Sequence, residues 1–145
     1  MTTATRVTIT ELASQLRPSL LRLTRLVRNQ RVDTSVTLTE LSAMFMLNSR
    51  GPMSPGELAA CEKVQPPSMT KVLASLEDQG FVRRERHPTD GRQVIISITA
   101  AGIDLLNSER QSRNLYLSRQ LAQLTPSERA LLARIVPILD KLAQQ

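Results

Sequence analysis

A chain of 145 residues that is 41% hydrophobic is long enough for one domain with a real core, and it is too apolar to be disordered. Lys and Arg number 19 against 13 Asp and Glu, most of the basic residues being arginine, so the net charge of +6 points to a polyanionic partner. An aromatic content of 2% with no tryptophan argues against stacking platforms for single strands and leaves duplex nucleic acid as the better expectation.

Leu12, Leu16, Leu20, Leu23 and Val27 recur at helical spacing and predict a first amphipathic helix over Ile9 to Arg31, with Arg22, Arg25 and Arg28 along another face. Pro18 inside it predicts a kink or a later start. Thr37-Leu-Thr-Glu40 is a capping box opening a second helix that carries Leu41, Met44, Phe45 and Leu47. After the Arg50-Gly51-Pro52 break, Ser54-Pro-Gly-Glu57 is another box, starting a helix of about two turns with Leu58 and Ala59 inward. Pro66 and Pro67 fit a helical first turn, and Met69, Val72, Leu73 and Leu76 then make one apolar stripe up to Asp78. Gly80 supplies the stop, and Phe81 is placed to fold back onto the last turn.

The apolar period then shifts from 3.6 towards 2. Phe81 to His87 and Gln93 to Thr99 read as strands of a hairpin around Pro88-Thr-Asp-Gly91. Thr99 can cap a long helix to about Gln123, and Thr125-Pro-Ser-Glu128 begins a last one with Leu131, Leu132, Ile135, Leu139 and Leu142, which Pro137 should bend. The expected class is mainly α (α+β): four helices, a hairpin and two further helices.

A short helix, a tight link, a second helix and a hairpin form the layout of a winged helix-turn-helix, here over residues 37–99. The helix from Pro66 to Asp78 would be the reader in the major groove. Its apolar stripe leaves Pro67, Lys71, Ala74 and Asp78 on the opposite face, flanked by Ser68, Thr70 and Ser75. Small residues permit close approach to the groove floor, while Ser68, Thr70 and Lys71 offer donors to phosphates or base edges. The hairpin would then be a wing over 82–97 that reaches the neighbouring minor groove. Arg92 is the candidate for insertion, Gly91 permits a sharp turn, and Asp90 is expected to hold the Arg92 guanidinium. Arg83, Arg84 and Arg86 on the stem are candidates for phosphate contacts.

Leu58-Ala59, Val64-Gln-Pro-Pro-Ser-Met-Thr-Lys71, Leu76-Glu-Asp-Gln-Gly80, Arg84, His87-Pro-Thr-Asp-Gly-Arg92 and Ile98-Thr-Ala-Ala-Gly102 resemble the MarR family of bacterial transcription regulators over nearly the whole chain. The most distinctive part is the D-x-R wing followed by a strand and a T-x-x-G helix start, here Asp90, Arg92, Thr99 and Gly102. The resemblance implies one domain over 1–145. Within it, 37–99 is the DNA-binding core, and 9–31 with 100–145 are dimerisation helices. It further implies a homodimer on a palindromic double-stranded operator, with a small aromatic or anionic ligand bound beside the dimer helices. Reader helices would then lie roughly 34–36 Å apart. The long apolar stripes of the first and last two helices agree, since they exceed what a small winged core can cover. Gln65 stands where relatives usually have a serine cap, and is itself a candidate for a base edge. Glycine stands at the wing tip where many members have a second arginine.

Cys61, the single cysteine, excludes an internal disulfide and fits a reducing cytoplasm; its place suggests a small, half-buried apolar residue rather than a redox sensor. MTTATRVTIT lacks the apolar run of a signal peptide, and no later window approaches a membrane span, so a cytoplasmic protein without a membrane partner is expected. His87, the only histidine, has no second ligand at metal spacing. Met44, Met46 and Met53 read as core filler. No nucleophile with a partnered base, carboxylate pair or phosphate loop is present, so neither catalysis nor a cofactor or metal is expected. The expected function is a dimeric, ligand-responsive repressor binding duplex DNA. The alternative is a winged-helix protein-interaction or RNA-binding module without operator specificity.

Overall fold

The computed structural model describes residues 7–144, so the reading of residues 1–6 as free of a signal peptide lies outside the described residues. The chain forms α1 (Ile9–Arg28), α2 (Leu38–Arg50), α3 (Pro55–Glu62), α4 (Pro66–Asp78), β1 (Val82–Arg86), β2 (Val94–Ile98), α5 (Ala100–Ala122) and α6 (Pro126–Ala143), in the order expected. No helix among the described residues is long and apolar enough to cross a membrane.

Capping boxes set four of the helix starts. Those of α2, α3 and α6 fall at Thr37, Ser54 and Thr125, and a fourth, Thr8 with Glu11, starts α1. In α6 the Thr125 N–H donates to Glu128 Oε2 at 2.8 Å, while the Glu128 N–H donates to Thr125 Oγ1 at 3.2 Å. The Thr125 backbone N–H, and then its hydroxyl, hold the Glu128 carboxyl below the usual carboxylate range, and Thr8 does the same for Glu11. A depressed folded-state pKa means the contribution is present above the unfolded value and is lost as pH falls through the folded one. Acidification below about pH 4 is therefore expected to fray the first turns of α1 and α6. Far-ultraviolet circular dichroism checks this: Glu128→Gln should remove the part of the acid transition that belongs to α6, whereas Thr125→Ala, which keeps the backbone N–H, should only reduce it.

Pro18 and Pro137 interrupt neither α1 nor α6. The Thr8 box starts α1 upstream of Pro18, which corrects the expectation of a later start. At its other end α1 stops at Arg28, with Asn29 as C-cap, rather than at Arg31. The Arg31 side chain is used elsewhere, donating to the carbonyl oxygens of Asp33 and Val36.

The chain divides into two compact units. One is Arg31–Gln111, the winged unit. Its core gathers Val36, Met44, Leu47, Leu58, Leu73 and Ile96, each all but fully buried, with Met53 and Met69. Of the apolar residues that α2 carries, Leu41, Met44 and Leu47 are buried and Phe45 is exposed, because it follows Met44 by one residue and points about 100° away from it. The hairpin pairs Val82 with Ile98 and Arg86 with Val94, and Met53 adds a one-residue bridge to Ile96 on its other side.

The joint between this hairpin and α5 depends on Thr99 and Gly102. The Thr99 hydroxyl donates to the Gly80 carbonyl at 2.6 Å and accepts from the Gly102 N–H at 3.2 Å, while the Thr99 N–H donates to the Phe81 carbonyl at 3.0 Å. Gly102 passes so close that a Cβ there would stand 2.4 Å from the Phe81 carbonyl oxygen. This is the physical content of the T-x-x-G start.

The other unit comprises the segment up to Gln30 and the segment from Ser112 onward. Neither α1 nor α6 has a buried residue in the single chain. Leu12, Leu21, Leu115, Leu131, Val136 and Ile138 are among the large apolar side chains left exposed there, Leu131 at 57% and Ile138 at 59%.

Candidate nucleic-acid interface

The geometry of the site begins at the link between α3 and α4. Lys63 ends α3 in the left-handed conformation, φ 53°, and the Lys63 and Val64 N–H groups close onto the carbonyls of Ala60 and Ala59. Three residues thus suffice to redirect the chain into α4. Gln65 is the N-cap but makes no side-chain cap hydrogen bond. Pro66 and Pro67 occupy the first two helical positions, so two of the donors a cap would satisfy do not exist. A weak cap is adequate here, and the Gln65 side chain is left exposed, with no hydrogen-bond partner among the described residues. The same prolines mean that an anion at this helix start would be met by side chains more than by backbone N–H groups.

Met69, Leu73 and Leu76 turn inward from α4, with Val72 half-buried. Gln65, Pro67, Ser68, Thr70, Lys71, Ala74 and Asp78 are all exposed, and Ser75 is half-buried. The helix therefore presents outward the face that periodicity assigns to it. Thr70 Oγ1 donates to the Pro66 carbonyl at 3.0 Å and so has only acceptor capacity left for another partner.

The wing follows within a few residues. Gly80 in the left-handed region, φ 77°, and a hydrogen bond from the Phe81 N–H to the Leu76 carbonyl turn the chain from α4 into β1. The stem arginines are not equivalent. Arg83 pairs with Glu85 two residues along the same strand face, at 2.7 Å. Arg84, on the face of buried Val82, reaches back to Glu77 of α4 at 3.3 Å and ties the wing to the helix. Among the described residues, Arg86, Arg92 and Lys71 have no acidic group within ion-pair distance, and all three are exposed.

The tip is held by side chains rather than by glycine. His87 Nδ1 accepts from the N–H groups of Thr89 and Asp90, at 3.2 and 3.1 Å, and the His87 N–H donates to the Gln93 carbonyl at 2.9 Å. Gly91 lies outside the left-handed region, so the turn does not need its conformational freedom. Asp90 Oδ1 accepts from the Arg92 backbone N–H at 3.1 Å instead of holding the guanidinium, which corrects the expected role. Arg92 is thus fixed at its Cα and free at its charged end.

Cys61 is exposed rather than half-buried, because Leu58 and Ala59 occupy the inward side of this short helix; its Sγ lies 3.6 Å from an Arg50 guanidinium nitrogen. Among the described residues no group of three His, Cys, Asp or Glu is placed to hold a metal ion.

The sequence pattern of the MarR family matches residues 36–94, the winged stretch just described. An HTH-type transcriptional regulator of Mycobacterium bovis is 42% identical over 92% of this chain and 94% of its own length. Among solved structures, a transcriptional regulator from Pseudomonas aeruginosa superposes with a TM-score of 0.83 at 32% identity, over 94% of this chain and 96% of that one. A MepR variant of S. aureus, solved bound to an oligodeoxyribonucleotide, shares the fold with a TM-score of 0.71 at 16% identity, covering 90% of this chain and 96% of its own. The chain therefore belongs to the MarR family of helix-turn-helix transcriptional regulators, DNA-binding proteins and not enzymes.

Proposed function

We propose that the protein acts as a homodimeric repressor on a palindromic duplex operator, each subunit laying α4 in a major groove and its wing tip in the adjacent minor groove. The observation that carries this reading is the pairing of an exposed, small and polar α4 face with Arg86 and Arg92, cations without acidic partners among the described residues. Gln65, Ser68 and Lys71 face base edges and phosphates, Thr70, whose hydroxyl proton is engaged by Pro66, accepts from a base-edge donor, Pro67 and Ala74 allow close approach, and Arg92 enters the minor groove. Arg86 contacts phosphate directly. Arg83 and Arg84 are shared with carboxylates, so their part is to hold the stem, as Asp90 holds the tip. The MepR variant bound to an oligodeoxyribonucleotide supports DNA as the ligand of this fold.

Dimerisation is supported by α1 and α6, neither of which has a fully buried residue within one chain and both of which expose apolar side chains along their lengths. The same reading includes release by a small aromatic or anionic ligand, for which Arg22, Arg25 and Arg28 of α1 supply exposed positive charge, and a cytoplasmic location.

The test is fluorescence anisotropy with a duplex from the promoter region of the protein's own gene, titrated at several salt concentrations. Log affinity should fall with log salt by about 0.9 per phosphate contact. Arg86→Ala should flatten that slope by about one, and Arg92→Ala should weaken binding most where the minor groove is narrow. Lys71→Ala is expected to flatten the slope as well. Binding without salt dependence, or equal affinity for single strands, would exclude the reading.

A further inference from the structure

His87 follows β1 directly and is half-buried, whereas Pro88, Thr89, Asp90, Gly91, Arg92 and Gln93 are all exposed. Its Nδ1 meets three donors: the N–H groups of Thr89 and Asp90, at 3.2 and 3.1 Å, and the Thr89 hydroxyl at 3.1 Å. A backbone N–H can only donate, so Nδ1 must present a lone pair, and in a neutral imidazole the proton then stands on Nε2. The tautomer follows from the contacts alone.

Aspartate and asparagine make the same arrangement at turns and helix starts, where a side-chain acceptor takes the N–H groups two and three residues on. Pro88 lies between and has no N–H, so Thr89 and Asp90 carry the first two donors that the ring can reach. Asp90 passes the restraint onward: its Oδ1 accepts from the Arg92 N–H at 3.1 Å, and its carbonyl accepts from the Gln93 N–H at 3.0 Å. A run of hydrogen bonds thus leads from the imidazole to the backbone of Arg92, whose charged end has no acidic partner among the described residues. The charged side chains around the ring belong to the hairpin itself, Arg86 before it and Asp90 and Arg92 across the turn. Of the helices packed on the hairpin, α4 sends Glu77 to it by an ion pair, and that pair is made with Arg84.

We infer that His87 is a positioning residue for Arg92 and acts as such only while neutral, so that one proton gates the wing's preference for a narrow minor groove. A proton on Nδ1 turns the acceptor into a donor. The Thr89 hydroxyl can reverse and accept it, but the two amides cannot, and the tip loses the bonds that set it. The added charge also attracts phosphates, yet it does so on every duplex. The gate is therefore read in the ratio of affinities for narrow and wide grooves, from which the common attraction cancels. This rests on the minor-groove reading of Arg92 given above.

The first measurement needs no DNA. Nitrogen-15 spectra of the imidazole in the full chain should show a bare Nδ1 and a protonated Nε2 at about pH 8. The Thr89 and Asp90 amide resonances should leave their hydrogen-bonded positions as pH falls towards about 5.5, within the span where histidine side chains change charge. An Nδ1–H tautomer, or amides that stay hydrogen-bonded beside a charged ring, overturns the inference. The second measurement is anisotropy with two versions of a duplex that the wild type selects from a random pool, flanking each half-site with an A·T or a G·C run. The wild type should favour the A·T version by about tenfold at about pH 8 and by less than about threefold at about pH 5.5. His87→Asn sets an oxygen as many bonds from the backbone as Nδ1 and should hold the preference at both pH values. His87→Gln, one bond longer, should show little preference at either. An asparagine variant that lacks the preference, or loses it with pH as the wild type does, overturns the inference, and so does a glutamine variant with the wild-type ratio at about pH 8. A wild type that ignores the flanks sinks the minor-groove reading of Arg92 and this inference with it, a failure told apart from a wrong tautomer by the nitrogen spectrum.

Discussion

Gly102→Ala is expected to destabilise the winged unit by about 3 kcal/mol, the upper end of what one added methyl costs in a packed site. The Cβ would stand 2.4 Å from the Phe81 carbonyl oxygen and 2.7 Å from Ile98 Cγ1. The Ile98 side chain can turn aside, but the carbonyl cannot, because it is backbone and already accepts the Thr99 N–H at 3.0 Å. Relief therefore requires moving the start of α5 away from β1, which breaks the bonds between Thr99 and both Gly80 and Gly102. Urea unfolding followed by circular dichroism measures the change, with Thr99→Ala as comparison. That variant loses a cap and should cost about 1 kcal/mol, whereas Thr99→Ser should stay near wild type. A midpoint for Gly102→Ala equal to that of Thr99→Ala would show that the contact at 102 is softer than its geometry requires.

If the chain forms the proposed homodimer through α6, Leu131→Glu with Ile135→Glu is expected to give a monomer. The two positions are one turn apart on α6 and are exposed in the single chain, so the charges are harmless there and uncompensated in an apolar interface. Losing the second subunit removes the gain from two linked half-site contacts, commonly 10²- to 10⁴-fold, so affinity for a two-half-site duplex should fall by about that factor. Affinity for an isolated half-site should stay within a few-fold. Light scattering after size-exclusion chromatography reads the mass, and anisotropy reads the binding. A variant that remains dimeric would remove α6 from the proposed interface.

The order of elements was legible because each helix carries an apolar stripe, a start signal, or both. Thr37, Ser54 and Thr125 each have a glutamate three residues on, and the apolar periodicity of α4 assigned Met69, Leu73 and Leu76 inward and Lys71 outward correctly. The fourth box, Thr8-Ile-Thr-Glu11, carries the same signal and would have placed the start of α1 despite Pro18. The wing was visible as a cluster of arginines, but the division of labour within it was not. That Arg84 spends its charge on Glu77 depends on how β1 folds back on α4, and Asp90 bonding to a backbone N–H depends on the turn it makes. The burial of Glu109 in α5 left no local trace, since its Oε1 accepts from the backbone N–H groups of Val32 and Asp33, 77 and 76 residues away, and nothing around it in the sequence distinguishes it from a solvated helix carboxylate.

The one-residue bridge from Met53 to Ile96 has a bearing on solubility. Val94–Ile98 reads VIISI, a short β-prone run without charge or proline, the kind that recruits identical segments from other molecules when an edge is open. One side of this strand is paired to β1 along its length, and Met53 occupies the middle of the other through two hydrogen bonds. Pro52 and Pro55 flank that bridge and have no N–H with which to extend the ladder. The segment most prone to self-assembly is thereby stoppered by a neighbour that cannot itself propagate a sheet.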